Sequence, residues 1–314
     1  MLNRRHLRIK VLQTLYAFYQ EGEGDAGKAE KALFFSIDKM EEMYIYLLTL
    51  IVEMQGAAID KIEAGKNKQL PSKEDLHPNT KFVTNTPLRM LANSKELRKK
   101  AEDLGVTWSD NKDLIKKEFR MLTDTDDYKE YMESTERSFK HDKDFLLRFF
   151  KRHMINFELL HDYFEEKSVF WNDDLDLISS MTIKTIKSID ENADDIELLP
   201  LWKGDDDEED FVKTLFRRSL TLAEENEKYI SEFTQNWEIE RIAIMDTILM
   251  KMAMAEVRSF PSIPAKVSMN EYIELSKYYS TPKSNGFING VLDQAFEKLK
   301  TDGLIEKTGR GLIE

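Results

Sequence analysis

The sequence predicts an all-α protein, and three observations carry that expectation. The composition is rich in helix formers and poor in turn residues: 41% hydrophobic and 33% charged, with only 12 Gly and 7 Pro in 314 residues. Apolar residues recur at helical spacing through the last third of the chain, and nothing there alternates like a strand. Two polar turns, Phe260-Pro261-Ser262-Ile263-Pro264 and Ser280-Thr281-Pro282-Lys283, each lead into a helix-starting pattern.

The elements follow in order. Residues 3–20 form an amphipathic helix whose broad apolar side is supplied by Leu7, Val11, Leu12, Leu15, Tyr16, Phe18 and Tyr19. Arg4, Arg5 and Arg8 crowd its first turns with no acid nearby, where positive charge opposes the helix dipole. Two readings stay open: a solvated first turn, or a site where an anionic partner supplies the missing charge. Residues 22–28, Gly-Glu-Gly-Asp-Ala-Gly-Lys, match most of a phosphate-binding loop. No strand precedes them, Ala29 stands where Ser or Thr holds magnesium, and Glu23 and Asp25 repel phosphate, so a turn between helices is expected.

A long helix follows at 28–64, burying Leu33, Ile37, Met40, Tyr44, Leu47, Leu48, Ile51 and Met54. From Gly65 to about Asn93, with Pro71, Pro78 and Pro87, the composition reads as a linker or exposed loop. Short helices are expected at 94–104 and 112–122, then a long pair over 127–168. The interval 144–190 resembles 210–256 at a constant offset of 66 residues: Phe145 matches Phe211, Phe150 matches Phe216, Tyr163 matches Tyr229 and Trp171 matches Trp237. Either the middle holds a worn copy of a helical unit or two amphipathic helix pairs have converged. The acidic run Asp205–Asp210 lacks the glycine and closing glutamate of a calcium loop, and favours the start of a helix at 211–235.

Three final helices complete the reading. Ile242, Met245, Leu249 and Met252 lie on the first, Val267, Ile273 and Leu275 on the second, and Phe287, Val291, Leu292 and Phe296 on the third. Ser268, three residues ahead of Glu271, suits a capping box, and Thr281 before Pro282 suits an N-cap with proline at the first helical position.

Composition also limits function. The chain has no cysteine, which excludes disulfides, thiolate metal sites and a Cys nucleophile. It has no apolar run of 18 residues and no apolar signal core, so no membrane partner and a cytoplasmic location are expected. His6, His77, His141, His153 and His161 show no HExxH spacing, and no GxSxG elbow exists, so no catalytic residue, metal or cofactor is expected. The net charge of −13 is uneven: residues 1–20 hold four Lys/Arg and no acid, residues 238–314 hold ten against eleven, and residues 21–237 carry the excess of acid. The two ends are thus free to offer a local basic face to a polyanion while the middle repels it.

Two pieces resemble the NusB family of transcription antitermination factors. One is Arg4-Arg5-His6-Leu7-Arg8 followed by Val11-Leu12-Gln13-Thr14-Leu15-Tyr16. The other runs from Phe211 through Asn236-Trp237-Glu238-Ile239-Glu240-Arg241 and Val267-Ser268-Met269-Asn270-Glu271 to Phe287-Ile288-Asn289-Gly290-Val291-Leu292-Asp293. The resemblance implies a NusB-like helical bundle with an inserted helical region. Residues 1–22 supply its first helix, 23–207 an acidic helical insertion with the possible duplicated unit, 208–303 the main bundle, and 304–314 a tail. It further implies binding of single-stranded boxA-type RNA together with the ribosomal protein NusE, in a transcription complex with RNA polymerase, in support of ribosomal RNA synthesis.

Carried over by position, Arg4, Arg5 and Arg8 meet RNA phosphates. Lys283, Ser284, Asn285 and Phe287 open the last helix, where free N–H groups suit phosphate, Asn285 reads a base edge and Phe287 stacks a base or packs in the core. Gly286 occupies a place where relatives often carry a basic side chain. Tyr16, Tyr19, Glu240 and Arg241 are the expected protein-partner face, with an exposed helix side plus core aromatics as the alternative. The competing functional reading is a non-catalytic protein-binding scaffold that has lost RNA affinity. The helical unit also leads certain RNA cytosine methyltransferases, but about 14 residues after the last helix leave no room for a cofactor-binding domain.

Overall fold

A computed structural model describes residues 2–22, 24–202, 207–234 and 242–312. It is 76% helical, and no strand occurs among the described residues. In chain order the helices are α1 (Arg4–Gln20), α2 (Ala26–Lys66), α3 (Lys73–Leu76), α4 (Thr86–Asn93), α5 (Lys95–Leu104), α6 (Lys112–Asp124) and α7 (Asp126–Glu133). After them come α8 (Phe139–Arg152), α9 (Glu158–Lys167), α10 (Leu175–Ser188), α11 (Asp207–Thr221), α12 (Ala223–Phe233), α13 (Ile244–Ser259), α14 (Ala265–Tyr279) and α15 (Ser284–Thr301). Met1–Ile37 with Trp202–Glu314 make one compact unit and Asp38–Leu201 a second, so the inserted unit starts at residue 38 where the sequence suggested 23. The opening turns of α2 belong to the first unit, where Arg217 pairs with Glu30 at 2.6 Å and Phe34 meets the Trp202 ring.

In the first unit α13 is the central helix. Ile248 to Val257 are buried without a break, as a helix surrounded by others requires. α1, α11, α12, α14 and α15 all pack on it. α1 ends where Gly22 takes φ +79°, and α2 starts where the Asp25 carboxylate accepts the N–H groups of Gly27 and Lys28. The acids Asp207 to Asp210 occupy the first turn of α11, complementing its dipole. The helix expected at 211–235 is two, α11 and α12, broken at Leu222. At the other end Lys307 Nζ donates to the carbonyls of Val257 and Phe260, satisfying the last turn of α13.

The second unit has an aromatic core. Tyr46 meets Trp108, Tyr163, Phe164 and Trp171 edge to face, Trp108 lies tilted against Tyr163 at 4.9 Å, and Trp171 Nε1 donates to the Lys39 carbonyl at 2.7 Å. Phe82, Phe119, Tyr128, Tyr131 and Phe145 form a neighbouring group, with the Tyr131 ring stacked on Phe145 at 3.8 Å.

Several expectations are corrected here. The stretch 65–93 is only partly an exposed loop, because Phe82, Asn85, Leu88 and Leu91 are core residues. Pro87 stands at the start of α4, where a missing N–H does no harm, and Asn85 caps that helix. The pair expected over 127–168 is three helices, α7 to α9, broken at Ser134 and His153. Val267 is 46% exposed and not in the core. The Ser268 hydroxyl is no cap, since α14 starts at Ala265 and Ser268 donates to Glu256 from inside the helix. Thr281 is no cap either: α15 starts at Ser284, beyond Pro282. Finally, α2 is long and apolar enough by composition to cross a bilayer, contrary to the run-length argument, but residues such as Met43, Leu47, Leu50 and Met54 are buried within the protein.

Candidate nucleic-acid interface

The first turns of α1 face α13 and α14 of the same unit. Asn3 caps α1 by accepting the His6 N–H, satisfying one of the free donors of its first turn. Arg8 is 3% exposed, and its Nε and Nη2 both donate to Glu256, each at 2.7 Å. Glu256 is 0% exposed and also accepts from Ser268 Oγ and Tyr272 OH, at 2.7 and 2.9 Å. Burial works against the Arg8 charge, but the Glu256 hydrogen bonds outweigh it and hold the guanidinium protonated, above its ordinary range. Burial, then the Glu256 charge, pushes the Tyr272 hydroxyl well above its usual value, so it remains a donor.

Arg5 makes a bidentate pair with Glu271, Nη2 to Oε1 at 2.7 Å, and Arg8 Nη1 reaches the same carboxylate at 3.4 Å. The Arg5 hydrogen bond is the main reason the Glu271 carboxyl is held below its ordinary value. Arg4 is exposed, has no carboxylate partner among the described residues, and lies 5.4 Å from the Phe211 ring centre. The charge opposing the α1 dipole is therefore answered largely from within the molecule, by Glu256 and Glu271. Arg8 belongs to a buried ion pair and is withdrawn from the set of RNA contacts; Arg4, and Arg5 in competition with Glu271, remain.

The start of α15 is built on Asp246. Its carboxylate accepts from Ser284 Oγ at 2.8 Å and from Ser280 Oγ, and Thr281 hydrogen-bonds Ser284. Ser284 is buried and committed to that network, so it too is withdrawn as an RNA contact. Lys283 is exposed, and Asn285 and Phe287 are half-buried. The Asn285 side chain accepts the Gly286 N–H at 2.8 Å. A Cβ added at Gly286 would meet nothing within 4 Å.

Asp246 and Glu256 stand at opposite ends of α13, ten residues apart, or about 15 Å at 1.5 Å per residue. The carboxylates that anchor the arginines and the opening of α15 are thus held apart along α13. Between them on α14 stand Glu271 and the Lys277–Glu274 pair, and then Tyr278, which is 79% exposed. Tyr278 is absent from the sequence-based site; what marks it is its exposure, since Tyr279 next to it is half-buried.

On the far part of α1, Tyr16 is 36% exposed, whereas Tyr19 is half-buried with Lys251 Nζ 5.7 Å from its ring centre. Glu240 and Arg241 lie outside the described residues. His153 Nε2 lies 2.9 Å from Asp127, and His161 Nε2 lies 2.6 Å from the Ile155 carbonyl. Among the described residues no group of three or more His, Asp or Glu is placed to hold a metal.

Residues 175–297, from the start of α10 into α15, match the family model described as NusB family. Over 104 residues the chain is 47% identical to the transcription antitermination protein NusB of Salinibacter ruber (strain DSM 13855 / M31), covering 33% of this chain and 65% of that protein. Over 105 residues it is 39% identical to the protein of the same name in Chloroherpeton thalassium (strain ATCC 35110 / GB-78), covering 33% of this chain and 50% of that one. A third, from Natranaerobius thermophilus (strain ATCC BAA-1301 / DSM 18059 / JW/NM-WN-LF), is 37% identical over 89 residues, 64% of its length. The chain therefore spans between half and just under two thirds of these relatives. No solved structure matches it. Residues 175–297 are thus similar to the NusB family, within a polypeptide longer than these relatives.

Proposed function

We propose that this chain, through its NusB-family domain, acts as a non-catalytic transcription antitermination factor in the cytoplasm. It binds boxA-type RNA together with the ribosomal protein NusE and supports ribosomal RNA transcription by RNA polymerase. The observation that carries this reading is the match over 175–297 to a family whose similar members are named transcription antitermination proteins. The exposed cations Arg4 and Lys283, with Asn285, Phe287 and Tyr278 near the opening of α15, supply the phosphate and stacking chemistry that single-stranded RNA uses. Arg5 joins them by exchanging Glu271 for a phosphate.

Filter binding of a boxA-like oligonucleotide to the full chain, with and without NusE, tests this. The Arg4→Glu/Arg5→Glu/Lys283→Glu variant is expected to weaken binding at least tenfold, with a shallower salt dependence. Equal affinity of variant and parent removes these residues from the site. A second reading, a protein-binding scaffold without RNA affinity, is favoured by the pairing of Arg5 and Arg8 with internal carboxylates and by Gly286. It predicts capture of NusE with no measurable RNA binding at physiological salt.

A further inference from the structure

The second unit contains a groove that the family domain does not account for. It lies between α2 and α6 and encloses about 550 Å³. Lys112, Lys116 and Arg120 stand along α6 at i, i+4 and i+8, one face of the helix with steps of about 6 Å. Lys61 faces them from α2, its Nζ 5.7 Å from the Phe119 ring centre. All four are exposed, and none has an ion-pair partner among the described residues. This occurs in a unit with 25 Lys/Arg against 34 Asp/Glu, where cations have many acids to choose from. Only Glu53 and Asp60 line the groove with negative charge, both on the α2 wall. On that wall Gly56, Ala57 and Ala64 leave space where larger side chains would close it.

We propose that this groove is a docking site for an acidic amphipathic helix of a protein partner. Carboxylates spaced at i, i+4 and i+8 on such a helix fall in register with the cation row, because both helices advance by the same rise. Its small or apolar side chains enter the space over Ala57 and Ala64, the helix-in-groove arrangement. The row covers about 12 Å, two to three turns of the incoming helix. A nucleic-acid strand shares the negative charge but draws on exposed aromatic platforms, and here the groove's ring, Phe119, is 5% exposed beneath Lys61. The site is independent of the RNA-binding reading, because all its residues lie in the other unit.

Fluorescence anisotropy with the full chain tests the proposal. The probe is a fluorescein-labelled helical peptide with glutamates at i, i+4 and i+8 beside a leucine stripe; controls are its glutamine counterpart and a labelled oligouridylate. Saturable binding of the acidic peptide is expected, weakened at least tenfold by glutamine, by Lys112→Glu/Lys116→Glu/Arg120→Glu, and by the groove-filling Ala64→Trp. Circular dichroism melts establish that the variants fold, and Ala64→Trp tests the groove without changing charge. Absence of saturable binding, binding indifferent to Ala64→Trp and to the charge reversal, or tighter binding of the oligouridylate overturns it.

Discussion

Glu118 on α6 is 3% exposed, and neither carboxylate oxygen has a hydrogen-bond partner among the described residues. Burial pushes its carboxyl up to about 8 from an ordinary 4.5. The folded protein then holds a proton that the unfolded chain releases above 4.5, so stability falls as pH rises from about 4.5 to about 8 and levels off beyond. Glu118→Met, close in volume and without polar atoms, is expected to flatten that slope and to stabilise the fold at pH 8 by about 1–4 kcal/mol. Urea denaturation of parent and variant across this range reads it; parallel curves exclude a buried protonated acid. Arg8 is the opposite case, a buried charge that is fully paired. Arg8→Met leaves Glu256 with only Ser268 and Tyr272 as donors and is expected to cost about 3–5 kcal/mol, most of it recovered in Arg8→Met/Glu256→Met. A cost of about 1 kcal/mol or less means the pair is not structural and returns Arg8 to the RNA site. No reading of spacing finds this pair, because its members are 248 residues apart and only the packing of α1 on α13 joins them.

Elements were legible wherever periodicity and length agreed. α1, α2, α5 and α6 start and end within two residues of the sequence expectation, because each shows one clear apolar stripe. α4 was not, because a short helix opened by proline looks like a loop until its Leu88 and Leu91 are seen to be buried. The repeat at an offset of 66 has a counterpart in the element order. α8, α9 and α10, moved forward 66 residues, start within three residues of α11, α12 and α13, and α8 packs on α10 as α11 packs on α13. At the opening of α15, Gly286 occupies the third helical position with open space around it. Gly286→Lys gains up to about 0.7 kcal/mol of helix propensity and loses about 0.3–1 kcal/mol against the dipole, so stability should be nearly unchanged. RNA affinity should rise about fivefold, with a salt slope steeper by about 0.7, the share of one more phosphate contact on a single strand. Unaltered affinity in filter binding places the RNA path away from this turn.

Across the whole molecule the proposed RNA binding has to be reconciled with a net charge of −13. The first unit holds 21 Lys/Arg and 25 Asp/Glu, the second 25 and 34, so the acid excess falls mainly on the inserted unit. Exposed charges farther than a Debye length, about 8 Å at physiological ionic strength, are largely screened, so the local cations govern binding more than the total does. Arg4, Arg5 and Lys283 are the three candidate cations left once Arg8 is assigned to Glu256. Three phosphate contacts on single-stranded RNA give a slope of log K against log salt of about −2. A titration from about 50 to 200 mM salt measures it directly. A slope steeper than about −3 requires cations beyond these three. A slope near zero, with NusE still captured, leaves the chain a protein scaffold: its arginines then serve the fold through Glu256 and Glu271, and RNA contact falls to some other member of the complex.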